Sequence, residues 1–460
     1  MALPKQEWRV ALDVRRVALM AVVCSVPCAV VVAQTPDTAA VKIRLEDAIG
    51  AAQRNSPQAI QAHGQISTAA TEERASYAAF LPNVSVGVNS SFANQGGTRS
   101  GGSVLTGANG SPIVTGSGGT NASYRSTGTV TASMTVLDWG QRVFNLRAAR
   151  ADIAAAEAAS TAQTYNIAYS VTQAFYAALA AREALAAAQV QLALADSTQR
   201  IANLMVRART AILSDSLRAA IQASTARVAI ATALNNLSSA NAYLSRLTAS
   251  TVMVTADPAD SGGVFTPLPD TTTLQRLAAT GPTVQQATAT QRASIEQQHA
   301  ARAAFLPQLD ANYSFTGNGQ NAYLGLGDPY TYGNRFSLSL SLPILDQFQR
   351  EAALERAQIA ASNAGASTRD ARLAARQSLS QAIGALQLAR NRITEQTESI
   401  RAAEEDLRVQ LDRYRLHEAT IVDVLTSQNE LTQAQSGLIQ ARYDYRIARA
   451  QIEAIIGRPL

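Results

Sequence analysis

Apolar residues alternate with polar ones along four short segments of this chain. The segments are 83–93, 127–137, 308–316 and 335–343. Alternation with a period of two is typical of a β-strand that has one apolar face. A tilted strand of about ten residues is long enough to cross a bilayer. The pattern therefore predicts four strands of membrane-spanning length.

A second period, of seven residues, runs through a long segment after each strand pair. It forms two rows in the second half of the chain: Ile393, Ile400, Leu407, Tyr414 and Ile421, then Val424, Leu431, Leu438, Tyr445 and Ile452. The matching row of the first half is Leu185, Leu192, Gln199, Val206 and Leu213. Sustained heptads predict coiled-coil packing of long helices. We therefore expect a long helical hairpin in each half, with tips at 207–214 and 415–422.

The two halves also share local sequence. The motif Ala78-Ala79-Phe80-Leu81-Pro82 returns as Ala303-Ala304-Phe305-Leu306-Pro307, and Asp215-Ser216-Leu217 is answered by Asp423-Val424-Leu425. Recurrence in the same order indicates a repeated structural unit. We predict a first repeat at 34–249 and a second at 271–460. The proline- and glycine-containing stretch 250–270 is then a linker or equatorial segment between them.

Each repeat is expected to begin with one helical segment, at about 43–80 and 271–305. Both segments stop before a Leu-Pro pair, because the residue that precedes a proline disfavours the helical conformation. The two strands of each repeat are separated by polar, glycine-rich stretches at 94–127 and 317–334. These stretches are predicted to be exposed loops.

The N-terminus has the features of a secretory signal. Four basic residues, Lys5, Arg9, Arg15 and Arg16, precede a short apolar run at 17–32, and small residues follow before Gln34. This order is typical of a signal peptide, which we place at 1–33. A retained membrane anchor and lipid attachment at Cys24 or Cys28 are the alternatives.

Composition excludes several classes of function. The lysines are Lys5 and Lys42, so no lysine follows a glycine-rich loop as P-loop chemistry requires. Both cysteines, Cys24 and Cys28, lie in the predicted signal, which leaves no thiol for catalysis or zinc. The histidines are His63, His299 and His417. They are not clustered, and the net charge of +5 is weak for a nucleic-acid binder, so no metal, cofactor or nucleic acid is predicted.

Four strands cannot close a barrel around a pore. An open sheet edge in lipid leaves backbone groups without hydrogen bonds, so closure requires several chains. Three chains supply twelve strands and twelve helical columns; counting alone leaves a tetramer open. The expected fold is mainly α with a small β part. It is a trimeric α-barrel of long coiled-coil helices, continuous with a twelve-stranded outer-membrane β-barrel, with an internal two-fold repeat.

Several motifs in this order resemble the TolC family of outer-membrane efflux channels. They are Leu45-Glu46-Asp47-Ala48, Asn55-Ser56-Pro57, the two Phe-Leu-Pro motifs, Val136-Leu137-Asp138-Trp139-Gly140, the stretch 414–425, and the stretch 443–457 with Tyr443-Asp444-Tyr445 and Ile455-Ile456-Gly457. The resemblance implies a homotrimeric, passive export duct in the outer membrane of a Gram-negative-type bacterium, with a large periplasmic part. It also implies a tripartite efflux or type I secretion system, with a periplasmic adaptor (membrane fusion) protein and an inner-membrane pump of the RND or ABC type. The pump would select the cargo.

Both hairpin tips carry candidate adaptor-docking residues. These are Arg207, Arg209, Thr210, Arg415, His417 and Glu418. Members of the family commonly have a glycine in each turn, where this chain has Arg209 and His417. Basic residues at the end of a helix also complement its dipole, so the arginines have a purely structural interpretation as well.

Three residues near the tips are candidates for the pore and its gate. Asp423 would form an acidic ring if it faces the axis, since each chain contributes one copy; alternatively, Thr420 and Asp423 form a helix capping box. The resemblance implies a hydrogen-bonded latch that includes Asp215 and Tyr414. An arginine and an acidic residue of that pattern are replaced here by Ala419 and Thr426.

A periplasmic coiled-coil scaffold without a pore is the competing hypothesis, from a different functional class. Such a scaffold has no need of strands of bilayer length, so the four alternating segments favour the channel. An enzyme would need a cluster of catalytic side chains, and the sequence offers none. Trp139, Tyr124, Phe92, Tyr313 and Phe336 are candidates for an interfacial aromatic girdle, with ordinary strand packing as the alternative.

Overall fold

The fold is known from a computed structural model, which describes residues 41–95, 104–106, 112–114, 121–261, 269–320 and 330–460. The first half contains β1 (Val41–Ile43), α1 (Leu45–Asn55), α2 (Pro57–Ala78), β2 (Asn83–Gln95), β3 (Val104–Thr106), β4 (Pro112–Val114), β5 (Asn121–Leu137), α3 (Gln141–Arg207) and α4 (Leu213–Leu247). The second half contains β6 (Val254–Ala256), a 3-10 helix (Pro258–Ser261), α5 (Thr271–Ala278), α6 (Pro282–Ala303), β7 (Gln308–Gln320), β8 (Tyr330–Ser341), α7 (Gln349–Arg415) and α8 (Ile421–Ile456). The predicted signal peptide, 1–33, lies outside the described residues.

Helices dominate the described chain, and corresponding helices of the two halves are alike in length. The helices α3 and α7 each have 67 residues, which at a rise of 1.5 Å per residue gives about 100 Å. The helices α2 and α6 each have 22 residues. Among the described residues, no helix is both long and apolar enough to cross a membrane.

The single helical segments predicted at about 43–80 and 271–305 are each two helices. The first breaks at Ser56, where Pro57 begins α2, and the second breaks just before Pro282, which begins α6. A proline lacks the N–H that a continuous helix needs and suits the first helical position. Ser56 caps α2, since its hydroxyl oxygen accepts a hydrogen bond from the Ala59 amide at 3.2 Å.

The stretch 250–270, predicted as a linker, contains ordered structure. Strand β6 pairs in parallel with β1, so that Val41 lies opposite Val254. The Ser245 hydroxyl at the end of α4 accepts a hydrogen bond from the Val254 amide at 2.8 Å. Val254 and Ala256 are buried. The sequence did not predict β1 and β6, because a strand of three residues is too short to show an alternating pattern.

The four long strands form one antiparallel sheet in the order β2-β5-β7-β8. All four are present as predicted, but they extend past the bounds 83–93, 127–137, 308–316 and 335–343, chiefly at the ends next to the loops. The prediction followed apolar alternation, whereas the ladder continues through small polar residues, as in the pairs Ser90 with Ser126 and Asn318 with Thr331. The predicted loops 94–127 and 317–334 are correspondingly shorter, and β3 pairs with β4 inside the first.

This sheet has one apolar face and one polar face. Residues opposite each other across strands share a face, and one such row is Val84, Ala132, Tyr313 and Phe336. The next row, on the other face, is Ser85, Thr131, Ser314 and Arg335. Large apolar side chains remain exposed on the first face, with Val86 at 73 % and Leu340 at 70 %. Among the described residues, the side chains of the edge strands β2 and β8 are exposed on both faces, whereas many in the central strands β5 and β7 are half-buried and Ser126 is buried.

The predicted heptad rows of the second half form the seam between α7 and α8. Leu407, Tyr414, Ile421 and Val424 make one buried cluster. The row predicted for the first half is buried only in part: Leu192 packs against the buried Ala195 and its neighbours in α4, whereas Leu213 is 65 % exposed. The most buried positions on this side of α3 are alanines, at the seven-residue spacing Ala188, Ala195 and Ala202. Their small side chains let α3 and α4 approach closely.

Candidate functional site

The two helical hairpins end in turns that fall within the predicted tips, 207–214 and 415–422. In each turn one non-glycine residue has a left-handed backbone: Arg209 at φ 61° and His417 at φ 63°. The following amides bond back along the helix, from Thr210 to the Met205 carbonyl at 2.9 Å and from Glu418 to the Arg413 carbonyl at 2.8 Å. This is the Schellman ending, which ordinarily uses glycine at the left-handed position.

Replacing glycine at these positions therefore changes the side chain and keeps the path of the backbone. A left-handed conformation costs a non-glycine residue about 1 kcal/mol or more, and here it is imposed at both tips. Strained conformations of this kind cluster at functional sites. Arg209 and His417 are both exposed, so each presents a side chain at the outermost point of its hairpin.

The other docking candidates fall into two groups. Arg207 and Arg209 are exposed and have no ion-pair partner among the described residues. Arg415, in contrast, pairs with Asp412 at 3.3 Å. Thr210 is tied to its own turn, since its hydroxyl donates to the Met205 carbonyl at 3.1 Å.

Asp423 belongs to a capping box at the start of α8. Its carboxylate accepts a hydrogen bond from the Thr420 amide at 2.8 Å, and the Thr420 hydroxyl accepts one from the Asp423 amide at 3.4 Å. Hydrogen bonds from the backbone and side chain of Thr420 hold the pKa of Asp423 below its usual value. The structural interpretation of this residue is confirmed, and its carboxylate is also ionised and exposed.

Tyr414 and Asp215 lie within electrostatic range without forming the predicted hydrogen bond. The Tyr414 side chain is 4 % exposed, and within the described residues its buried hydroxyl has no hydrogen-bond partner. Burial raises the pKa of Tyr414, and the negative charge of Asp215 raises it further. A buried hydroxyl without a partner is rare and costly, and because this oxygen is enclosed within the single chain, an outside group reaches it only after the tip rearranges.

Sequence reasoning missed a set of polar contacts above the tip that join the two hairpins. The Gln428 amide on α8 donates to the Thr198 hydroxyl on α3 at 2.7 Å, and both side chains are almost fully buried. The Gln222 amide on α4 donates to the Asn429 side-chain oxygen at 3.0 Å. The sequence carried one signal for these contacts: Gln428 lies on the buried face of α8. A polar residue in a coiled-coil seam fixes the register of the helices.

No group of three or more His, Cys, Asp or Glu side chains in the described part of the chain could hold a metal ion. Two of the histidines lie far apart, in different surroundings. His299 lies edge-on to the Phe144 ring at 5.7 Å and near Glu296 at 3.7 Å, and His417 lies at the tip.

The architecture is that of outer-membrane channel proteins, as known structures show. The outer membrane protein VceC of Vibrio cholerae is 18% identical, with a TM-score of 0.71 over 90% of this chain and 96% of that chain. The CmeC outer membrane channel of Campylobacter jejuni is 16% identical, with a TM-score of 0.73 over 90% of this chain and 85% of that one. The MtrE outer membrane channel of Neisseria gonorrhoeae is 20% identical, with a TM-score of 0.73 over 90% and 89%. No curated protein sequence matches this chain.

The family described as "Outer membrane efflux protein" matches residues 48–250 and 273–458. The chain therefore belongs to the outer membrane efflux protein family. Membership confirms the family predicted from the motifs, and with it the localisation in the outer membrane with a large periplasmic part. The mostly helical fold with a small sheet is confirmed as well.

Proposed function

We propose that three copies of this chain close into a passive export duct that spans the outer membrane and the periplasm. The observation that carries the proposal is the four-stranded sheet, which has one apolar and one polar face and exposes both along its edge strands. Its apolar face suits lipid and its polar face suits a water-filled lumen, which is the pattern of a membrane barrel. A coiled-coil scaffold without a pore would leave the apolar face without a partner.

The sheet's edges support assembly from several chains. Within the described residues, β2 pairs only with β5, and β8 pairs only with β7. Unpaired edges are untenable in lipid, so β8 of one chain would pair with β2 of the next. Three copies would supply twelve strands, and the paired halves of each chain would act as two repeats of the barrel.

The helices continue the duct into the periplasm, with the hairpin tips at its far end. An adaptor would dock on the tips through the exposed side chains Arg207, Arg209, His417 and Glu418. The inner-membrane pump, of the RND or ABC type, would supply the energy and choose the cargo. The chain itself would catalyse no reaction and would need no cofactor.

Opening of the duct would change the contacts of the tip residues. The unpartnered Tyr414 hydroxyl and the nearby Asp215 carboxylate could be joined in a closed trimer by a group from a neighbouring chain, which makes a latch. Asp423 would repeat around the axis as an acidic ring. Rings of carboxylates attract cations into a pore, so the closed tip should bind multivalent cations.

Planar-bilayer recording of the purified trimer tests this function. We expect discrete conductance steps, and block by a trivalent cation such as lanthanum. The variant Asp423→Asn should need a several-fold higher lanthanum concentration for half block, because the ring loses its charge. The variant Asp370→Asn, at an exposed position far up α7, is the matched control and should be blocked like the parent protein. Absence of conductance would contradict the proposed duct. Unchanged lanthanum block in Asp423→Asn would contradict the acidic ring but not the duct.

A further inference from the structure

A cavity of about 320 Å³ lies where α2, α3 and α6 meet, and side-chain amides surround it. We define the amide pocket by its amide-bearing residues: Gln58, Gln61, Gln65, Gln163, Asn166 and Gln286. The other lining residues are Ala62, Ala159 and Ala162. Among the described residues that line the cavity, none has an ionisable side chain. Exposed helix faces commonly carry charged residues, so a neutral cavity with this many amides is an unusual surface.

Most of these amides are available to a molecule in the cavity. Gln163 donates a hydrogen bond to the Gln58 side-chain oxygen at 3.3 Å. Gln61, Gln65 and Asn166 are exposed, and within the described residues their side chains form no hydrogen bond. A side-chain amide offers two N–H donors and a carbonyl acceptor. The pocket therefore presents donors and acceptors together, without a net charge.

The side of the helices that carries the pocket can be traced from the sheet. Gln308 starts β7, where Leu309 belongs to the apolar face, so Gln308 belongs to the polar face. Its side-chain amide donates a hydrogen bond to the Gln141 side-chain oxygen at 3.1 Å, and Gln141 is the first residue of α3. Asn145, about one turn further along α3, lines a cavity together with Gln141. This side of α3 therefore continues the polar face of the sheet.

The same side of α3 reaches the amide pocket. Residues seven apart lie on one face of a supercoiled helix, and Asn145, Asp152, Ala159 and Asn166 follow one another at that spacing. The carboxylate in this row, on Asp152, accepts a hydrogen bond from Gln297 at 3.5 Å and does not line the pocket. Ala159 and Asn166 both line it. Because the polar face of the sheet lines the lumen in the proposed duct, the amide pocket opens into the lumen.

We propose that the amide pocket is a lumenal binding site for uncharged, polyhydroxylated molecules, of which a short oligosaccharide is the type. The inference rests on the proposed function, because it requires the polar face of the sheet to line the lumen. Each sugar hydroxyl both donates and accepts a hydrogen bond, as the amides do. The buried Ala62 and Ala162 provide a shallow apolar floor for the C–H groups of a sugar ring.

The chemistry of the lining disfavours the other kinds of cargo. An ion in the pocket would lose part of its hydration without gaining an opposite charge. A peptide would find neither a large apolar group nor a charged group for its side chains. The cavity volume is within the range of sites for small molecules, so the pocket suits a short chain of sugars.

Planar-bilayer recording of the full-length trimer with maltotetraose tests the proposal. We expect a reduction of the current that saturates with sugar concentration, because the sugar occupies a finite number of sites. Polyethylene glycol of the same hydrodynamic radius is the matched probe. It has no hydroxyl along its chain and should lower the current only through its volume, without saturation.

A double variant identifies the pocket as the site. Gln61→Leu with Asn166→Leu removes two exposed amides and should raise the concentration of maltotetraose for half block about tenfold, since two hydrogen bonds are lost. Gln377→Leu is the matched control. Gln377 is exposed on α7 and does not line the cavity, so this variant should be blocked like the parent protein.

A cysteine variant tests the position of the pocket in the lumen. Asn166→Cys is treated with a cationic methanethiosulfonate reagent, and labelling is confirmed by mass spectrometry. We expect stepwise loss of conductance as each chain is labelled. The parent protein, treated in the same way, controls for Cys24 and Cys28. Unchanged conductance of the labelled variant would place the pocket on the outer wall and overturn the proposal.

Three other results would also overturn it. They are equal effects of maltotetraose and polyethylene glycol, equal half-block concentrations in the double variant and Gln377→Leu, and stronger block by tetraglycine amide than by maltotetraose. A conducting duct with any of these results retains the proposed function and rejects the sugar site. Saturation-transfer NMR of maltotetraose with the solubilised trimer covers the converse case. Transfer that disappears in the double variant, from a protein that does not conduct, would retain the sugar site and reject the duct.

Discussion

Replacing Val424 with aspartate is expected to prevent the hairpins from packing and to abolish the assembled trimer. Val424 is 0% exposed and lies in the cluster formed with Leu407, Tyr414 and Ile421. Leu194, Ile201 and Met205 of α3 pack against the same cluster. The substitution would therefore also disrupt the contact between the two hairpins. An unpaired carboxylate in such a site costs several kcal/mol, which is a large part of the stability of a typical domain.

Val422 offers a control of the same residue type on the same helix. It is 45% exposed, so Val422→Asp keeps its new charge in water and should leave the trimer intact. The measurement is the yield of trimer on native gels of solubilised membranes, together with the helical signal in far-ultraviolet circular dichroism. Equal trimer yield from Val424→Asp and Val422→Asp would mean that the α7–α8 seam does not hold the assembly.

Removing the Arg142 guanidinium should produce the second large effect. We expect the free energy of unfolding to fall by about 3 kcal/mol. The Asp138 side chain beside it is 8% exposed. Arg142→Ala would leave that carboxylate without its ionic partner and also remove the bonds from the guanidinium to the Ala79 and Val136 carbonyls. The thermal transition of the trimer should fall accordingly. Arg147→Ala is the control, because Arg147 is exposed, forms no ion pair among the described residues, and lies over the Phe144 ring at 5.5 Å.

Two additional tests identify the charge as the cause. Adding Asp138→Asn to Arg142→Ala should recover part of the lost stability, since the buried charge is gone. Acid should also destabilise the parent protein, because protonation of Asp138 removes its ion pair with Arg142. Burial acts to raise the pKa of Asp138, but hydrogen bonds from Arg142 and Gly140 outweigh it and hold the pKa below its usual value. A lowered carboxyl pKa gives stability that is present above the unfolded-state value and lost as pH falls through the folded-state value. A double variant no more stable than Arg142→Ala would argue against a buried charge.

Much of the architecture could be read from periodicity, because long regular elements repeat a burial pattern many times. The strand faces followed from alternation at Val84, Val86 and Val88, and the α7–α8 seam followed from the heptads through Leu407 and Ile421. The heptad row chosen for the first half was buried only in part. Leu192 packs in the contact between α3 and α4, but the most buried positions there are alanines, which carry little hydrophobic signal.

Local backbone and polar details were harder to predict. The capping box at Thr420 could be predicted because its residue spacing is a known motif. The left-handed backbone of Arg209 was harder to predict, since residues other than glycine rarely adopt a positive φ; that of His417 is less unusual, because histidine is enriched in this conformation. The approach of the Gly281 backbone to the Ile455 carbonyl also needed coordinates: a Cβ at Gly281 would lie 2.2 Å from that oxygen.

Cryo-electron microscopy of the full-length protein in lipid nanodiscs tests the central claim most directly, because it counts subunits and shows what each face of the sheet touches. We expect three chains around one lumen, with β8 of each chain paired to β2 of the next. The row Val84, Tyr313 and Phe336 should face lipid, and the row Ser85, Ser314 and Arg335 should face water. A lone chain, or a sheet whose apolar face packs on protein away from lipid, would contradict the account.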